Sequence, residues 1–387
     1  MDIYLIIVCG NYETKMLVGS IVDNNLRVMY IDKFLSNEMI VNSQLHNPEN
    51  FEKTISEKIK KITNYIGQPP NKIVLNLPTK NIDTISSTSP EYKINKFLTI
   101  NKWKKISSNL TLSSLQLKEN YLLGKKTYSW ELDGNHYQDI PFDIEGTSLI
   151  FKTQYYITKK KYIEPFIIVF DKLKIKINEI VVDSMIVPEA FENNLRNKKA
   201  FINIGHDKSS FFYYKNMSLT KREVINFGLK NLTHEIESIT NVNEQDAIKI
   251  LKIYKNVFIY DKKSIPFKIS ISEKIGNYSS FKYGDINILI KDWLQNLTNE
   301  INIFYNDLAK KGEEIDEIYI LSASNILEEW VHYIQAKLYQ KTDVLYLNIS
   351  NVKFSNKNIK IMVFQEPKYI TLIYSLLYVH KQNMLSK

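Results

Sequence analysis

Two stretches of this chain, about half its length apart, can be aligned on each other. The segment IIVCGNYETKMLVGSIVDNNLRVMYI begins at Ile6 and FINIGHDKSSFFYYKNMSLTKREVIN begins at Phe201, so that Gly10 is aligned with Gly205. Each segment predicts a buried strand, a glycine turn, a second strand, a polar turn and a third strand. The pattern therefore indicates an internal duplication of one β-meander, with a chance similarity of two hairpins as the alternative.

The residues that follow each copy continue the same plan. NPENFEKTISEKIKKITNYIG has apolar residues at helical spacing, and NKIVLNLPT after it reads as a buried strand. After the second copy, NLTHEIESIT and NEQDAIKILKIYKN are predicted helices, and a long helix at 291–311, closed by Gly312, leads to the strand DEIYILSAS. A duplicated hairpin-and-helix unit with two facing glycine turns is typical of the actin-like ATPases. We therefore expect an α/β, duplicated ribonuclease H-like fold with two lobes.

Composition restricts the class of protein. The 387 residues suffice for two to four domains, and a hydrophobic content of 44% supports buried cores. Cys9 is the only cysteine, which excludes an internal disulfide and fits a reducing cytoplasm. No apolar run is long enough to span a bilayer, and MDIYLIIVCG has no basic start, so it predicts a first strand rather than a signal peptide.

The formal charge of +9 comes from scattered lysines. We interpret it as a Lys/Asn/Ile-rich composition bias, with attraction to an anionic membrane surface as the alternative. Nucleic acid is not an expected partner, because the aromatic residues occupy core positions and form no basic–aromatic motif.

Four segments resemble the bacterial cell-division protein FtsA, which belongs to the actin-like superfamily. IGHDKSSFFYYKNMSLTKREVINFGLKNLTHEI is similar to the second phosphate loop of that family and its hairpin, and GNYETKMLVGSI to the first phosphate loop. NEQDAIKILKIYKN resembles the helix that enters the upper part of the second lobe, and QEPKYITLIYSLLYV resembles the last helix. The resemblance extends over nearly the whole chain.

FtsA carries an extra subdomain where this chain has residues 81–162. That stretch contains short-strand patterns, a turn at Asp133–Gly134 and a helix predicted around Ser107–Glu119. The resemblance implies a first actin-like domain at 1–80 and 163–198 and an inserted FtsA-type α+β subdomain at 81–162. It further implies a second actin-like domain at 199–240 and 311–387, with an upper subdomain at 241–310.

Nucleotide chemistry in this family needs carboxylates that orient Mg²⁺ and water, and glycines that let backbone amides approach phosphate oxygens. In the first loop the family's aspartate falls on Val8, a strand residue that cannot hold hydrated Mg²⁺. Gly10, Asn11 and Lys15 remain as candidate nucleotide contacts, although Lys15 also fits an ordinary surface lysine of a hairpin.

The second loop has lost the same residue types. Asn203 and Ser210 stand where the family has its two carboxylates, and Asp207 replaces a glycine. A carboxylate about 4 Å from a phosphate charge opposes binding by about 4 kcal/mol at an effective dielectric constant near 20. His206 is a lone loop histidine, for which we expect no ligand role. The remnants proposed as nucleotide contacts on this side are Asn203, Gly205, Lys208, Ser209 and Gly228.

The adenosine side is altered in the same way. The helix of the second lobe has Ile248 and Leu251 where the family has Glu and Lys, and Lys252 is one position further along. LSASNILEEW has no glycine pair, which leaves Ser322 and Ser324 as candidate contacts. The sequence therefore predicts a degenerate nucleotide site in an intact fold. We expect no enzymatic activity and no cofactor, with weak binding of ATP and Mg²⁺ left open.

The resemblance implies an adaptor that links polymers of the tubulin-like protein FtsZ to the inner face of the cell membrane at the division site. Self-association into actin-like filaments is also implied. The FtsZ tail would bind the upper subdomain, where Lys291, Asn296 and Glu300 are the candidate residues, although Leu297 stands in place of the family's Arg. Membrane contact would be made by the lysine-rich surface or through partners.

Two other functions stay open at this point. One is an active actin-like ATPase with atypical loops. The other is a different actin-like assembly factor, of the pilus or shape-determining kind.

Overall fold

A computed structural model of the chain describes residues 2–22, 25–36, 38–77, 81–109, 118–137, 139–190, 198–253, 266–270, 278–322, 328–339, 343–346, 353–354, 359 and 369–386. Within these ranges the chain forms two mixed sheets, one around each copy of the duplicated hairpin, and a third sheet inserted in the first half. Helices pack against all three sheets.

The sheet of the first lobe consists of β1 (Ile3–Val8), β2 (Glu13–Val22), β3 (Asn25–Leu35), β6 (Lys72–Leu77), β12 (Ile177–Val182) and β20 (Lys353–Phe354). Its strand order is β12-β6-β1-β2-β3-β20. The meander β1–β3 is antiparallel, whereas β6 and β12 run parallel to β1. A small hairpin of β4 (Ile40–Val41) and β5 (Gln44–Leu45) follows the meander.

The second lobe repeats this arrangement with β13 (Lys198–Ile204), β14 (Ser209–Lys215), β15 (Ser218–Ile225), β18 (Glu317–Ser322) and β19 (Asp343–Tyr346). The order is β15-β14-β13-β18-β19, again an antiparallel meander followed by two parallel strands. Ile204 pairs with Ser209 across the second glycine turn, as Val8 pairs with Lys15 across the first. The predicted duplicated two-lobe fold is confirmed. A separate hairpin joins β16 (Pro266–Ser270) to β17 (Tyr278–Lys282).

Helices cover the faces of these sheets. They are α1 (Pro48–Ile66), α2 (Ile100–Ser108), α3 (Lys160–Lys172), α4 (Asp183–Ile186), α5 (Leu229–Thr240), α6 (Glu244–Ile253), α7 (Tyr283–Ala309), α8 (Glu328–Lys337) and α9 (Ile370–Ser386). The side chain of Asn47 caps the N-terminus of α1, and Gly67 in a left-handed conformation ends it. The long helix predicted from residue 291 begins earlier, at Tyr283, because Ile286 and Ile290 continue its buried face.

The inserted sheet contains β7 (Ile82–Thr88), β8 (Tyr92–Lys93), β9 (Asn120–Leu132), β10 (Asn135–Tyr137) and β11 (Ser148–Lys159). The order β10-β9-β11-β7 places the long strand β11 between β9 and β7. The helix predicted around Ser107–Glu119 overlaps α2 only at Ser107 and Ser108, and the start of α2 was not predicted; it lies where the side chain of Thr99 accepts a hydrogen bond from the Lys102 amide. Residues 110–117 lie outside the described part, and the domain boundaries given above stay predictions.

The helix α9 runs through the largest hydrophobic core, which contains residues of both lobes. Leu372, Ile373 and Leu376 of α9 are fully buried. A Cβ atom at Gly19 of β2 would lie 2.8 Å from Leu376 Cδ2, so glycine is required there for the close approach of strand and helix. The last helix is therefore part of the shared core, as the resemblance to the family's final helix implies.

Candidate functional site

The two glycine turns are tight loops in which any side chain larger than glycine's would clash with the backbone. A Cβ atom at Gly10 would lie 2.6 Å from the backbone oxygen of Glu13, and one at Gly205 would lie 2.5 Å from that of Lys208. The amide of Gly205 also donates a hydrogen bond to the Lys208 carbonyl at 3.0 Å. Turn geometry alone therefore explains both glycines, without a phosphate.

An aromatic pair joins the two turns across the cleft between the lobes. The rings of Tyr12 and His206 are stacked with their centroids 4.1 Å apart and an angle of 26° between their planes. His206 Nε2 lies 2.9 Å from Oε1 of Glu244, at the start of α6. Burial and the nearby charges of Glu244 and Glu13 raise the pKa of the Tyr12 hydroxyl. Sequence reasoning missed this pair, because neither ring belongs to the family's nucleotide motif.

The predicted contacts Asn11 and Lys208 bind protein groups in this structure. Asn11 Oδ1 accepts a hydrogen bond from the Ser43 amide at 2.9 Å, and Lys208 Nζ donates to Asn42 Oδ1 at 3.0 Å. Asn42 and Ser43 form the turn of the β4–β5 hairpin, both with positive φ. The hairpin of the first lobe thus links the first glycine turn to Lys208 of the second.

A buried carboxyl group joins the lobes below the turns. Asp183 accepts hydrogen bonds from the side-chain amides of Asn76 at 3.1 Å and Asn203 at 2.8 Å. Asn76 also donates to Ser375 Oγ of α9 at 3.1 Å. Burial raises the pKa of Asp183, and the two amides and the charge of Lys15 oppose that shift. Asn203 and Lys15, predicted as nucleotide contacts, therefore lie around one protein carboxyl.

Sequence reasoning also missed Asn76 and Asp183, although a signal was present. Asn76 lies within an apolar run of β6 (IVLN), and Asp183 directly follows an apolar run at the end of β12 (IVVD). In parallel neighbouring strands such positions meet at the same edge of the sheet, which places both at the base of the cleft.

The N-terminus of α5 has its first amides occupied by the second loop. Leu229 N–H donates to the Gly205 carbonyl at 3.1 Å, and Lys230 N–H donates to the His206 carbonyl at 2.8 Å. The Gly228 amide donates to Asn231 Oδ1 at 2.9 Å. Helix N-terminal amides bind anions when they point at a ligand, and these donors already have protein acceptors.

The remaining predicted cleft residues are placed as follows. Ser209 Oγ donates to the Phe227 carbonyl at 2.7 Å, and Trp293 of α7 donates its indole N–H to the Gly228 carbonyl at 3.0 Å. Ser322 ends β18 with its backbone paired to Ile204. Ser324 and the side chains of Lys252 and Ser322 lie outside the described part.

Comparison with known proteins decides the fold. No protein-family model and no curated protein sequence matches the chain. Among solved structures, the PilM–PilN type IV pilus biogenesis complex matches with a TM-score of 0.63 and 11% identity over 97% of this chain and 98% of the other. The ethanolamine utilization protein EutJ from Carboxydothermus hydrogenoformans matches with a TM-score of 0.56 and 8% identity over 98% and 90%. MreB5 of Spiroplasma citri bound to ADP matches with a TM-score of 0.51 and 8% identity over 100% and 98%.

The fold is that of the actin-like ATPases. The assignment of the two glycine turns to the facing phosphate loops of such a fold stays a prediction, as does a nucleotide site in the cleft between them. Identities of 8–11% establish this fold alone, so the narrower resemblance to FtsA stays a prediction.

The predicted partner residues lie on the actin-like fold's long helix α7. Lys291 and Asn296 are exposed and Glu300 is half-buried, whereas Leu297 points into the core of the second lobe. Gln295 Nε2 donates to Asn299 Oδ1 at 2.9 Å on the same outer surface. Lys291 and Asn296 are therefore accessible, and Glu300 is partly so.

A second concave feature lies outside the cleft. A cavity of about 530 Å³ lies between the start of β9, helix α3 and strand β12. Among the described strands, β12 is at one edge of the first sheet. Burial raises the pKa of Glu179 on β12 to about 7, and the charge of Lys72 opposes the shift. We name this cavity the β12 groove; it is lined by Tyr121, Leu122, Leu123, Ile167, Asp171, Lys174, Ile175, Lys176, Ile177, Asn178, Glu179 and Ile180.

Two further properties of the described residues bear on function. No cluster of three or more His, Cys, Asp or Glu side chains suited to a metal ion is found among them. Within the same ranges, each helix is too short or too polar to cross a bilayer.

Proposed function

We propose that this chain is an actin-like assembly factor that works as an adaptor and does not hydrolyse ATP. The observation that supports this most is the stack of Tyr12 on His206. It joins the two loops between which an actin-like ATPase would hold the phosphates, and rings 4.1 Å apart leave no space for a phosphate group between them.

The charges around the cleft support the same proposal. Asp183, Asp207 and Glu244 lie on or beside the two loops, where they would repel a triphosphate. Lys208 and Lys230, which would favour it, interact with Asn42 and Asp207. Val8 offers no carboxylate for Mg²⁺ at the end of β1.

The test is thermal unfolding with and without Mg-ATP or Mg-ADP, with an active actin-like ATPase as the positive control. A ligand present at about 100 times its Kd stabilises a folded protein by about 2.7 kcal/mol, which raises the melting temperature by several degrees. We expect no increase for this chain and no phosphate release. A clear increase together with phosphate release would favour the active-ATPase alternative.

Within this class we propose, as the narrower function, an FtsA-like adaptor between FtsZ polymers and the inner face of the cell membrane. The FtsZ tail would bind the outer surface of α7, where Lys291 and Asn296 are exposed beside Ile288, which is 57% exposed. Lys291 can pair with an acidic side chain of a bound peptide and Ile288 with an apolar one, whereas the exposed Asp292 opposes an acidic peptide.

A second candidate is a pilus-type assembly factor, favoured by the match to PilM, which is solved in a complex with PilN. The β12 groove offers a place for a partner of this kind. An edge strand beside a groove lined by both aliphatic and charged side chains can accept an extended segment as an added strand, with side-chain pockets giving specificity.

Peptide binding measured by fluorescence anisotropy separates the two candidates. The probes are an FtsZ C-terminal peptide and overlapping peptides of PilN. Lys291→Glu should weaken only a peptide bound at α7, and Lys176→Glu only one bound in the β12 groove. If neither peptide set binds, both partner assignments are wrong, whatever the nucleotide experiment shows.

A further inference from the structure

The β12 groove lies between two strands of different sheets. Among the described strands, β12 pairs only with β6, so its other side borders the groove. The start of β9 lines the opposite wall, and the described strand β10 covers the outer side of β9 only at Trp130–Leu132. An extended segment that enters the groove can therefore form backbone hydrogen bonds along β12, as an added strand.

The interior of the groove is apolar, and most of its charges lie at the rim. Asp171, Lys174 and Lys176 are exposed, which places their charges in solvent. Glu179 is the exception, because it is half-buried. The apolar lining consists of the half-buried or buried residues Leu122, Leu123, Ile167, Ile175, Ile177 and Ile180. Such a lining suits a partner segment that presents apolar side chains.

A β-bulge in β12 lies directly before Glu179. The pairing of β12 with β6 shifts between Ile177 and Glu179. At this point the side chain of Asn178 accepts a hydrogen bond from the Ile73 amide at 2.7 Å. Bulges re-aim the neighbouring side chains and are common beside functional sites. The position of the Glu179 carboxyl group at the groove is therefore fixed by a defined feature of the backbone.

The surroundings of Glu179 favour its neutral form. Burial raises the pKa of its carboxyl group to about 7, the charge of Lys72 on β6 opposes the shift, and no hydrogen bond from a described residue contributes to it. Glu179 is therefore present both with and without its charge near neutral pH. The other titratable groups of the groove and its margins are Asp171 at the end of α3, Lys174 and Lys176 before β12, Tyr121 on β9, and Lys118 and Glu119 before β9.

A segment that fills the groove removes the remaining water around Glu179, which further disfavours the charged form of the carboxyl group. We propose that Glu179 takes up a proton when an apolar segment binds in the β12 groove, so that the partner is held more tightly in mildly acidic conditions. The proton comes from solvent and stays on the carboxyl group, which can then donate a hydrogen bond to the bound segment. The inference rests on the second candidate function, a partner bound in this groove, and adds the regulation of that site.

The test is the affinity of the full chain for PilN peptides at about pH 6 and about pH 8, measured by fluorescence anisotropy. The peptides are acetylated and amidated, with any histidine or cysteine replaced by serine, so that they do not titrate in this range. We expect the Kd to be about fivefold lower at the acidic pH, within the limit of about tenfold per pH unit that uptake of one proton sets. Glu179→Gln keeps this side chain neutral, so it should bind with one affinity at both pH values, close to that of the unmodified chain at the acidic one.

Glu164→Gln is the matched control, because it makes the same chemical change at an exposed residue of α3 outside the groove and should keep the pH dependence. Circular dichroism at both pH values shows that each variant is folded. The proposal is overturned if the unmodified chain binds no PilN peptide, binds equally at both pH values, or binds more tightly at the higher one, as a basic segment paired with the Glu179 carboxylate would. It is also overturned if Glu179→Gln keeps the pH dependence.

These outcomes separate the inference from the proposed function. Peptide binding without a pH dependence leaves the partner site of the second candidate intact, whereas the absence of binding removes both. In each case the nucleotide experiment and the FtsZ peptide still decide the adaptor proposal separately.

Discussion

At the scale of one residue, Glu179 introduces a pH dependence into the stability of the first lobe. Burial beside the β12 groove raises the pKa of its carboxyl from 4.5 to about 7, with Lys72 opposing the shift. The folded chain therefore binds this proton more tightly than the unfolded chain does. The contribution of Glu179 to the free energy of unfolding is greatest below about pH 4.5 and falls as pH rises towards 7, by at most about 3 kcal/mol.

Glu179→Gln removes this titration and keeps the shape of the side chain. We expect the variant to be more stable than the unmodified chain above about pH 7 and to lose the slope between about pH 5 and 7. Urea denaturation at several pH values measures both effects. The control is Asp171→Asn, an exposed acid that lines the same groove. Identical slopes for Glu179→Gln and the unmodified chain would contradict the prediction.

At the scale of elements, the sequence predicts strands and helices well, because their signals are local. The apolar runs before Gly10 and Gly205 and the helical spacing of Phe51, Ile55 and Ile62 are readable without the fold. The start of α2 at Ile100 was not predicted, because it depends on the Thr99 cap and on burial of Trp103 and Ile106 in the insert core.

The cleft contacts could not be predicted in the same way. Tyr12 and His206 are 194 positions apart, and Asn76 and Ser375 are 299 apart, so only the folded sheets bring them together. The family motifs concern only the positions that would contact nucleotide. They carried no information about which side chains of this chain would meet across the cleft.

The docking of α9 on β2 is a testable contact between elements. Gly19→Ala should lower the free energy of unfolding by about 1–3 kcal/mol, because the new methyl group meets Leu376 Cδ2 at 2.8 Å and the Arg27 carbonyl at 3.0 Å. Leu376→Ala alone should cost about 2–5 kcal/mol through the cavity it leaves. The double variant should cost less than the sum, since the shorter side chain relieves the clash. Strict additivity in urea denaturation would show that the two residues do not interact.

At the scale of the whole molecule, the two lobes are joined by more than the chain connection. Phe201, Phe212 and Tyr319 of the second sheet belong to the same hydrophobic core as β1 and α9. Gln154 of the insert exchanges two hydrogen bonds with the backbone of Leu219 in the second lobe, at 2.8 and 3.0 Å. We therefore expect the lobes and the insert to unfold together rather than as independent domains.

Asp183 is the polar part of this connection, since Asn76 belongs to one lobe and Asn203 to the other. Asp183→Ala removes one acceptor from each amide group, although Asn76 keeps Ser375 Oγ, and we expect the free energy of unfolding to fall by about 1–3 kcal/mol. Asp183→Asn, the matched control, keeps one acceptor oxygen and should lose less. Because the contact joins the lobes, Asp183→Ala should also increase the radius of gyration measured by small-angle X-ray scattering under native conditions. If the alanine variant keeps both its stability and its dimensions, the prediction is wrong. In that case the shared apolar core alone holds the lobes together, and the contact of Tyr12 with His206 closes the cleft above it.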